Sequence, residues 1–146
     1  MGDDAGQSLV ERALILPVFV LLILGAVEFG ELAYAAIVVS DAARAGVQYG
    51  AQSAATAADT AGMVAAAMND GSDVNGLSAT PTSFCSCSNA PATSVPGGCS
   101  VAATSCPANG ARVLNYVQVN TTATVAPFIN WLGSFTLTGQ AIMRVE

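Results

Sequence analysis

The chain has no lysine and no histidine, and its only basic residues are Arg12, Arg44, Arg112 and Arg144. Without a basic patch, nothing is placed to meet a run of phosphates, so nucleic acid is excluded as an expected partner. Charged residues make up 10% of the sequence, well below the usual quarter of a soluble domain, and the net charge is −6. Between Val74 and Val145 the only charges are Arg112 and Arg144. A segment so short of ionisable groups cannot assemble the acid/base pairs or nucleophile triads of common enzymes. The expected role is therefore not enzymatic, with no catalytic residue, no cofactor, no metal and no small-molecule substrate. Asp70-Gly71-Ser72-Asp73 is the one acidic cluster. It lacks the spaced oxygen ligands and closing glutamate of a calcium loop, and reads as a solvated turn.

Polarity is equally absent from Ala13 to Val27, where no side chain is charged or strongly polar. The run is 15 residues long, short of the roughly 20 that a membrane span requires. It reaches that length only by taking in Glu28 and Glu31. From Ala13 to Ser40 these are the only charges, and as one helix the segment would measure about 42 Å. The two halves differ. Ala13–Val27 is apolar on every face and must be covered all round, by lipid or by other helices. Beyond it Phe29, Leu32, Ala36, Val39, Ala43 and Val47 recur at steps of three and four, which predicts an amphipathic continuation packed on a globular body. Pro17 predicts a kink or local loosening, with Gly25 and Gly30 as further weak points.

The remainder divides by pattern. Gly50–Asp70 is alanine-rich, with Asp59 or Thr60 placed to cap a short helix ending near Met68, at the stop signal Asn69-Asp70-Gly71. Its expected apolar face is Met63, Val64, Ala67 and Met68. Leu77–Ser88 reads as a strand and Asn89–Gly110 as a loop with Pro91, Pro96 and Pro107. Ala111–Val125 and Phe135–Val145 alternate with period two around a turn at Pro127–Ser134, which predicts an antiparallel pair. On the first, Val113, Val117, Val119, Ala123 and Val125 share one face. On the second, Phe135, Leu137, Ala141, Met143 and Val145 do. The fold class is α+β: a long N-terminal helix, packed in its second half against a small antiparallel sheet with a short second helix. The expected organisation is a leader at 1–6, an assembly or membrane helix at 7–50 and a head at 51–146.

Cys85, Cys87, Cys99 and Cys106 are the only cysteines, in a Gly/Pro/Ser/Thr-rich stretch. Two disulfides, a zinc site and free thiols are the possible states. The spacing, C-x-C followed by gaps of 11 and 6 residues, lacks the paired C-x2-C knuckles of zinc ribbons and favours disulfides in an oxidising compartment. Four cysteines allow three connectivities. A nested arrangement, Cys87–Cys99 inside Cys85–Cys106, is expected if the chain turns back on itself within a loop.

At the N-terminus, Gly6-Gln7-Ser8-Leu9-Val10-Glu11 precedes Ala13-Leu14-Ile15-Leu16-Pro17, the apolar run and Val27-Glu28-Phe29-Gly30. A glycine, a glutamate five residues on and an apolar helix resemble the processing site of type IV pilin-like precursors. The wider text resembles the TadE-like family of tight-adherence pilus proteins. Ala42-Ala43-Arg44-Ala45-Gly46 and the closing Ala141-Ile142-Met143-Arg144-Val145 extend the likeness. Arg12 stands where the family usually carries an aromatic, and Met1–Ala5 has no basic residue where such leaders are usually positive. The resemblance implies cleavage between Gly6 and Gln7, a start in the inner membrane and later assembly into an extracellular helical filament of copies by a pilus machinery. It also implies that Glu11 meets the N-terminal amine of a neighbouring copy, or Arg12 of that copy if the leader is retained. Leu14, Pro17 and Leu21 belong to the same assembly surface. Glu28 and Glu31 are candidate partners for Arg44 of another copy, or markers of the interface level. The alternatives are a minor membrane-retained subunit that primes or anchors a pilus, and a single-pass membrane protein with an extracytoplasmic binding head.

Overall fold

A computed structural model describes the backbone of residues 3–127 and 133–146, with side chains from Leu9 onward. The expected residues Gly6 and Gln7 lie within a helix, but their side chains fall outside the described residues. So do Phe128, Ile129, Trp131 and Leu132 of the expected turn. The element order is α1 Asp3–Gly50, α2 Ala54–Ala58, α3 Thr60–Asp70, β1 Ser78–Cys87, α4 Gly98–Ala108, β2 Val113–Val125 and β3 Phe135–Arg144. This is the α+β arrangement the sequence implies: a long apolar helix packed against a small antiparallel sheet with short helices.

Helix α1 has 48 residues and runs without interruption through Pro17, giving a rod about 72 Å long. Only its C-terminal third is covered. The buried positions are Ala35, Val39, Ala42, Ala43, Gly46, Val47 and Gly50. The amphipathic stripe expected from Phe29 is thus corrected at its N-terminal end: Phe29 is 75% exposed and Ala36 is exposed, while Ala35 and Ala42 are buried. Phe29 and Leu32 reach only the open cleft at the ends of β2 and β3, where Leu32 is half-buried. The true contact face is made of small residues, which admit a close approach.

The sheet order is β1-β2-β3, antiparallel throughout. Pairing of Val119 with Pro81 and Ala141, and of Ala123 with Leu137, brings the apolar parities of the strands onto one face. That face closes two clusters against α1. One contains Val47, Ala51, Met63, Val117 and Val119, the other Val39, Ala42, Leu77 and Ala123. The opposite face carries Ser78, Thr80 and Thr82 on β1, Gln118, Asn120, Thr122 and Thr124 on β2, and Thr136, Thr138 and Gln140 on β3. This follows from the period of two and the register.

Helix α3 begins where expected. Asp59 caps it by accepting from the Gly62 N–H at 2.9 Å, and Gly71 follows its last turn. Met63 and Ala67 are its buried residues, whereas Met68 is exposed and Val64 half-buried. The expected four-residue face is narrower than its composition suggests. Helix α2 is held by a capping box in which Ser53 and Thr56 exchange side-chain to backbone bonds.

The segment expected to be all loop contains a helix, α4. Val101-Ala102-Ala103 favours helix formation, and both ends are tied to β1 by disulfides, Cys85–Cys99 and Cys87–Cys106. The nested pairing is therefore corrected. Two strand residues on one face lie about 6.7 Å apart, and Cys99 and Cys106, seven residues apart, return to the same side of α4 after about 10.5 Å. The helix runs along the strand in the same direction, so the first cysteine meets the first and the second meets the second.

Candidate functional site

The feature that sets this molecule apart is the uncovered part of α1. Leu14, Leu16, Leu21 and Leu22 are each more than 60% exposed, and every described large apolar residue from Leu9 to Leu24 is open on the helix surface. The helix is long and apolar enough to cross a membrane, and its most apolar window is not buried at all within the molecule. Fully burying one leucine is worth about 1.5–3 kcal/mol, so this surface cannot stand in water. Glu11 and Arg12 are both exposed immediately before the run, and Pro17 and Leu21 are exposed within it. The structure leaves Glu11, Arg12, Leu14, Pro17 and Leu21 together on the free rod, pointing to covers the chain itself does not provide.

Where the rod meets the head there is a cleft of about 130 Å³. One wall is Gly25, Glu28, Phe29, Glu31 and Leu32 of α1. The other is Val125, Ala126, Pro127 and Phe135, the facing ends of β2 and β3. Glu28 is half-buried in it and Glu31 is exposed. Arg44 lies about four turns further along. Within the same chain it pairs with Asp41 at 3.2 Å, both side chains being largely exposed. The structure thus gives Arg44 an intrachain partner and separates it from Glu28 and Glu31 along the rod.

Side-chain hydrogen bonds from Thr121, Tyr49 and Tyr34 help to fasten the rod to the head, and pattern alone singles out only part of one of them. Thr121 on β2 is fully buried and donates its hydroxyl to the Val39 carbonyl at 2.6 Å. Opposite it in the register stands Gly139. A Cβ there would lie 2.5 Å from the Val39 carbonyl oxygen and 2.9 Å from Ser40 Cα, so only glycine lets helix and strand approach this closely. Tyr49 donates to Asp59 at 2.7 Å, tying the last turn of α1 to the cap of α3. The Asp59 carboxyl is held below its ordinary range, first by the Gly62 N–H and then by the Tyr49 hydroxyl. Tyr34 reaches Asp73 at 3.1 Å, so the acidic turn serves as a hydrogen-bond acceptor for the rod. The available signals were a threonine on the apolar parity of β2 and a glycine on that of β3.

All four cysteines are in disulfides, which closes the zinc alternative. Among the described residues no group of three or more His, Cys, Asp or Glu side chains is placed to hold a metal ion.

Residues 6–48 match the family model described as TadE-like protein. No curated protein and no solved structure matches the chain. The matched segment contains Gly6, Glu11, Arg12, Pro17, Glu28 and Arg44. It takes in the entire exposed rod and most of the seat on the head, so the family likeness and the geometry fall on the same helix. Over residues 6–48 the N-terminal helix is similar to the TadE-like family.

Proposed function

We propose that the protein is a pilin-like structural subunit of a tight-adherence pilus, which polymerises through the exposed half of α1. The TadE-like segment supports association with such a pilus. The observation that carries the finer reading is the division of the helix. One third is docked on the head, and the apolar side chains from Leu14 to Leu24 stand exposed, with nothing of the described chain covering them. Before assembly the inner membrane covers the rod. In the filament neighbouring rods cover it, with the heads outside. A contact between unlike surfaces of successive copies does not close on itself and propagates as a helix. The role is structural, not catalytic. Cleavage between Gly6 and Gln7 belongs to the same reading, and an intact mass that retains Met1–Gly6 in the surface form would exclude it.

Leu21→Asp tests assembly. It buries a charge that has no partner in either cover, on a residue 68% exposed in the isolated molecule, so the head keeps its fold and disulfides. Material sheared from cells is imaged by electron microscopy and identified by mass spectrometry. Filaments containing the wild-type chain, and none containing the variant, are expected. Normal filaments from the variant remove the rod from the filament core.

The membrane-competent span itself favours a second reading: a minor subunit that stays in the membrane and primes a pilus made of another protein. In that case the sheared filament lacks this chain while the membrane fraction holds it.

A further inference from the structure

The sheet face turned away from α1 is uncharged. Its rows across the three strands are Ser78–Thr122–Thr138, Thr80–Asn120–Gln140 and Thr82–Gln118–Ile142, extended at one end by Thr124 opposite Thr136, with Ile142 the one exposed aliphatic side chain among them. No Asp, Glu, Lys or Arg stands on it until Arg144 at the far corner, beside Tyr116. A sheet face that meets only water is normally protected by interspersed charge, which keeps it soluble and discourages edge pairing. Here hydroxyls and amides replace that charge, and every threonine of the rows is exposed.

The amides are also preorganised. Asn120 Oδ1 accepts from Gln140 Nε2 at 2.9 Å and from Gln118 Nε2 at 3.1 Å, linking side chains of two adjacent rows. Ser78 and Thr122 share a hydroxyl–hydroxyl bond at 2.7 Å. Groups already held in place lose little freedom when a ligand binds. At the Arg144 end lies the stacked pair Phe84 and Tyr116, with ring centroids 5.5 Å apart, and Phe84 remains half-exposed.

We propose that this face binds a neutral polysaccharide, whose hydroxyls meet the Thr/Asn/Gln rows and whose sugar C–H face packs beside Phe84. Charge decides against the other occupants. An anionic polymer would find one arginine at a corner. A second sheet would need an apolar face to interdigitate with, and this one is polar. A lipid surface would find no basic patch and only the separate apolar side chains of Ile142 and Phe84. The face belongs to the head and does not depend on the filament reading, so failure of binding and failure of assembly are separately visible.

The full chain in detergent micelles is mixed with insoluble cellulose, chitin or cross-linked dextran, and with alginate as the anionic comparison. Depletion from the supernatant is then measured. Retention on at least one neutral polymer, unchanged by added salt, and none on alginate, is expected. The double variant Thr80→Lys/Thr138→Lys charges both edge strands at exposed positions. It is expected to weaken retention about tenfold, equivalent to about 1.4 kcal/mol. Ser100→Lys, on the exposed surface of α4, is expected to bind as wild type. Non-reducing peptide mapping confirms that each variant is folded. No retention on any neutral polymer overturns the proposal. So does salt-sensitive retention on alginate, or a double variant that binds as wild type.

Discussion

Gly139→Ala tests how the rod is fastened. The added methyl would sit 2.5 Å from the Val39 carbonyl oxygen, 2.6 Å from Thr121 Oγ1 and 2.9 Å from Ser40 Cα. Two of these neighbours are helix backbone, so relief requires α1 to move off the sheet. Overpacking of this kind costs about 1–3 kcal/mol. The displacement also breaks the bond from Thr121 Oγ1 to the Val39 carbonyl, now 2.6 Å, and strands a fully buried hydroxyl at a further cost of about 1–3 kcal/mol. The expected total is about 2–6 kcal/mol, a large part of the 5–15 kcal/mol by which domains are stable. Thr121→Val removes the hydroxyl but keeps the shape, and should cost only about 1 kcal/mol. In the double variant the stranded-hydroxyl component is absent, so the two effects should add to less than their sum. Urea unfolding of the full chain in detergent, with disulfides intact, reads all three. A Gly139→Ala loss below about 0.5 kcal/mol, the range of ordinary surface changes, would show that the helix has slack at this contact and refute the account of its seating.

Further outcomes follow from the head. Non-reducing peptide mapping should recover Cys85 with Cys99 and Cys87 with Cys106; a Cys87–Cys99 peptide would reverse the direction assigned to α4. Replacing Cys87 and Cys106 together by serine should lower stability by about 3 kcal/mol, for a separation of 19 residues. Asp59 has its carboxyl pKa depressed in the folded state by the Gly62 N–H and the Tyr49 hydroxyl. Its contribution is therefore present above the ordinary carboxylate pKa of about 3.9 and is lost as pH falls below that value toward the folded one. Asp59→Asn should flatten the acid limb of the stability curve, and an unchanged limb would remove Asp59 as its cause.

Much of this architecture was legible because it rests on period and composition. The uninterrupted apolar run, the parity of Val117, Val119 and Ala123, and the Asp59 cap each express a local rule with a repeat. What escaped was set by contacts distant in sequence. Thr121 sits on the apolar parity of β2, where pattern assigns a hydrophobe, because a helix carbonyl 82 residues away accepts its proton. Gly139 interrupts the apolar parity of β3 because α1 must pass close there. The contact stripe of α1 was displaced because periodicity shows that a face exists but not how far the sheet extends along it; Phe29 continues the period but stays exposed at the open cleft beside the strand ends. Helix α4 was hidden by its proline- and cysteine-rich surroundings, and the disulfide order depended on its presence.

The free rod poses a different question, since the hydrophobic effect does not choose between its two covers. Lipid tails are as apolar as leucine, so Leu14, Leu16, Leu21 and Leu22 leave water in either environment with nearly equal gain. The choice between membrane and filament must rest on groups that lipid cannot satisfy. Glu28 and Glu31 lie close to the head, and at the start of the rod these groups are Glu11 and Arg12. At the membrane surface both are hydrated. Inside a bundle each needs a partner, and a neighbouring copy supplies one only at the correct axial offset. A charged hydrogen bond is worth about 1.5–3 kcal/mol. Glu11→Ala should therefore leave membrane insertion intact, because the apolar run is unchanged, while lowering the sheared filament yield about tenfold or more. This differs from Leu21→Asp, which damages both covers. The ratio of sheared to membrane-bound chain, measured by quantitative immunoblotting at matched expression, separates the two. If Glu11→Ala gives the wild-type ratio, register is set elsewhere on the rod and the exposed Glu11–Arg12 pair has no part in the choice.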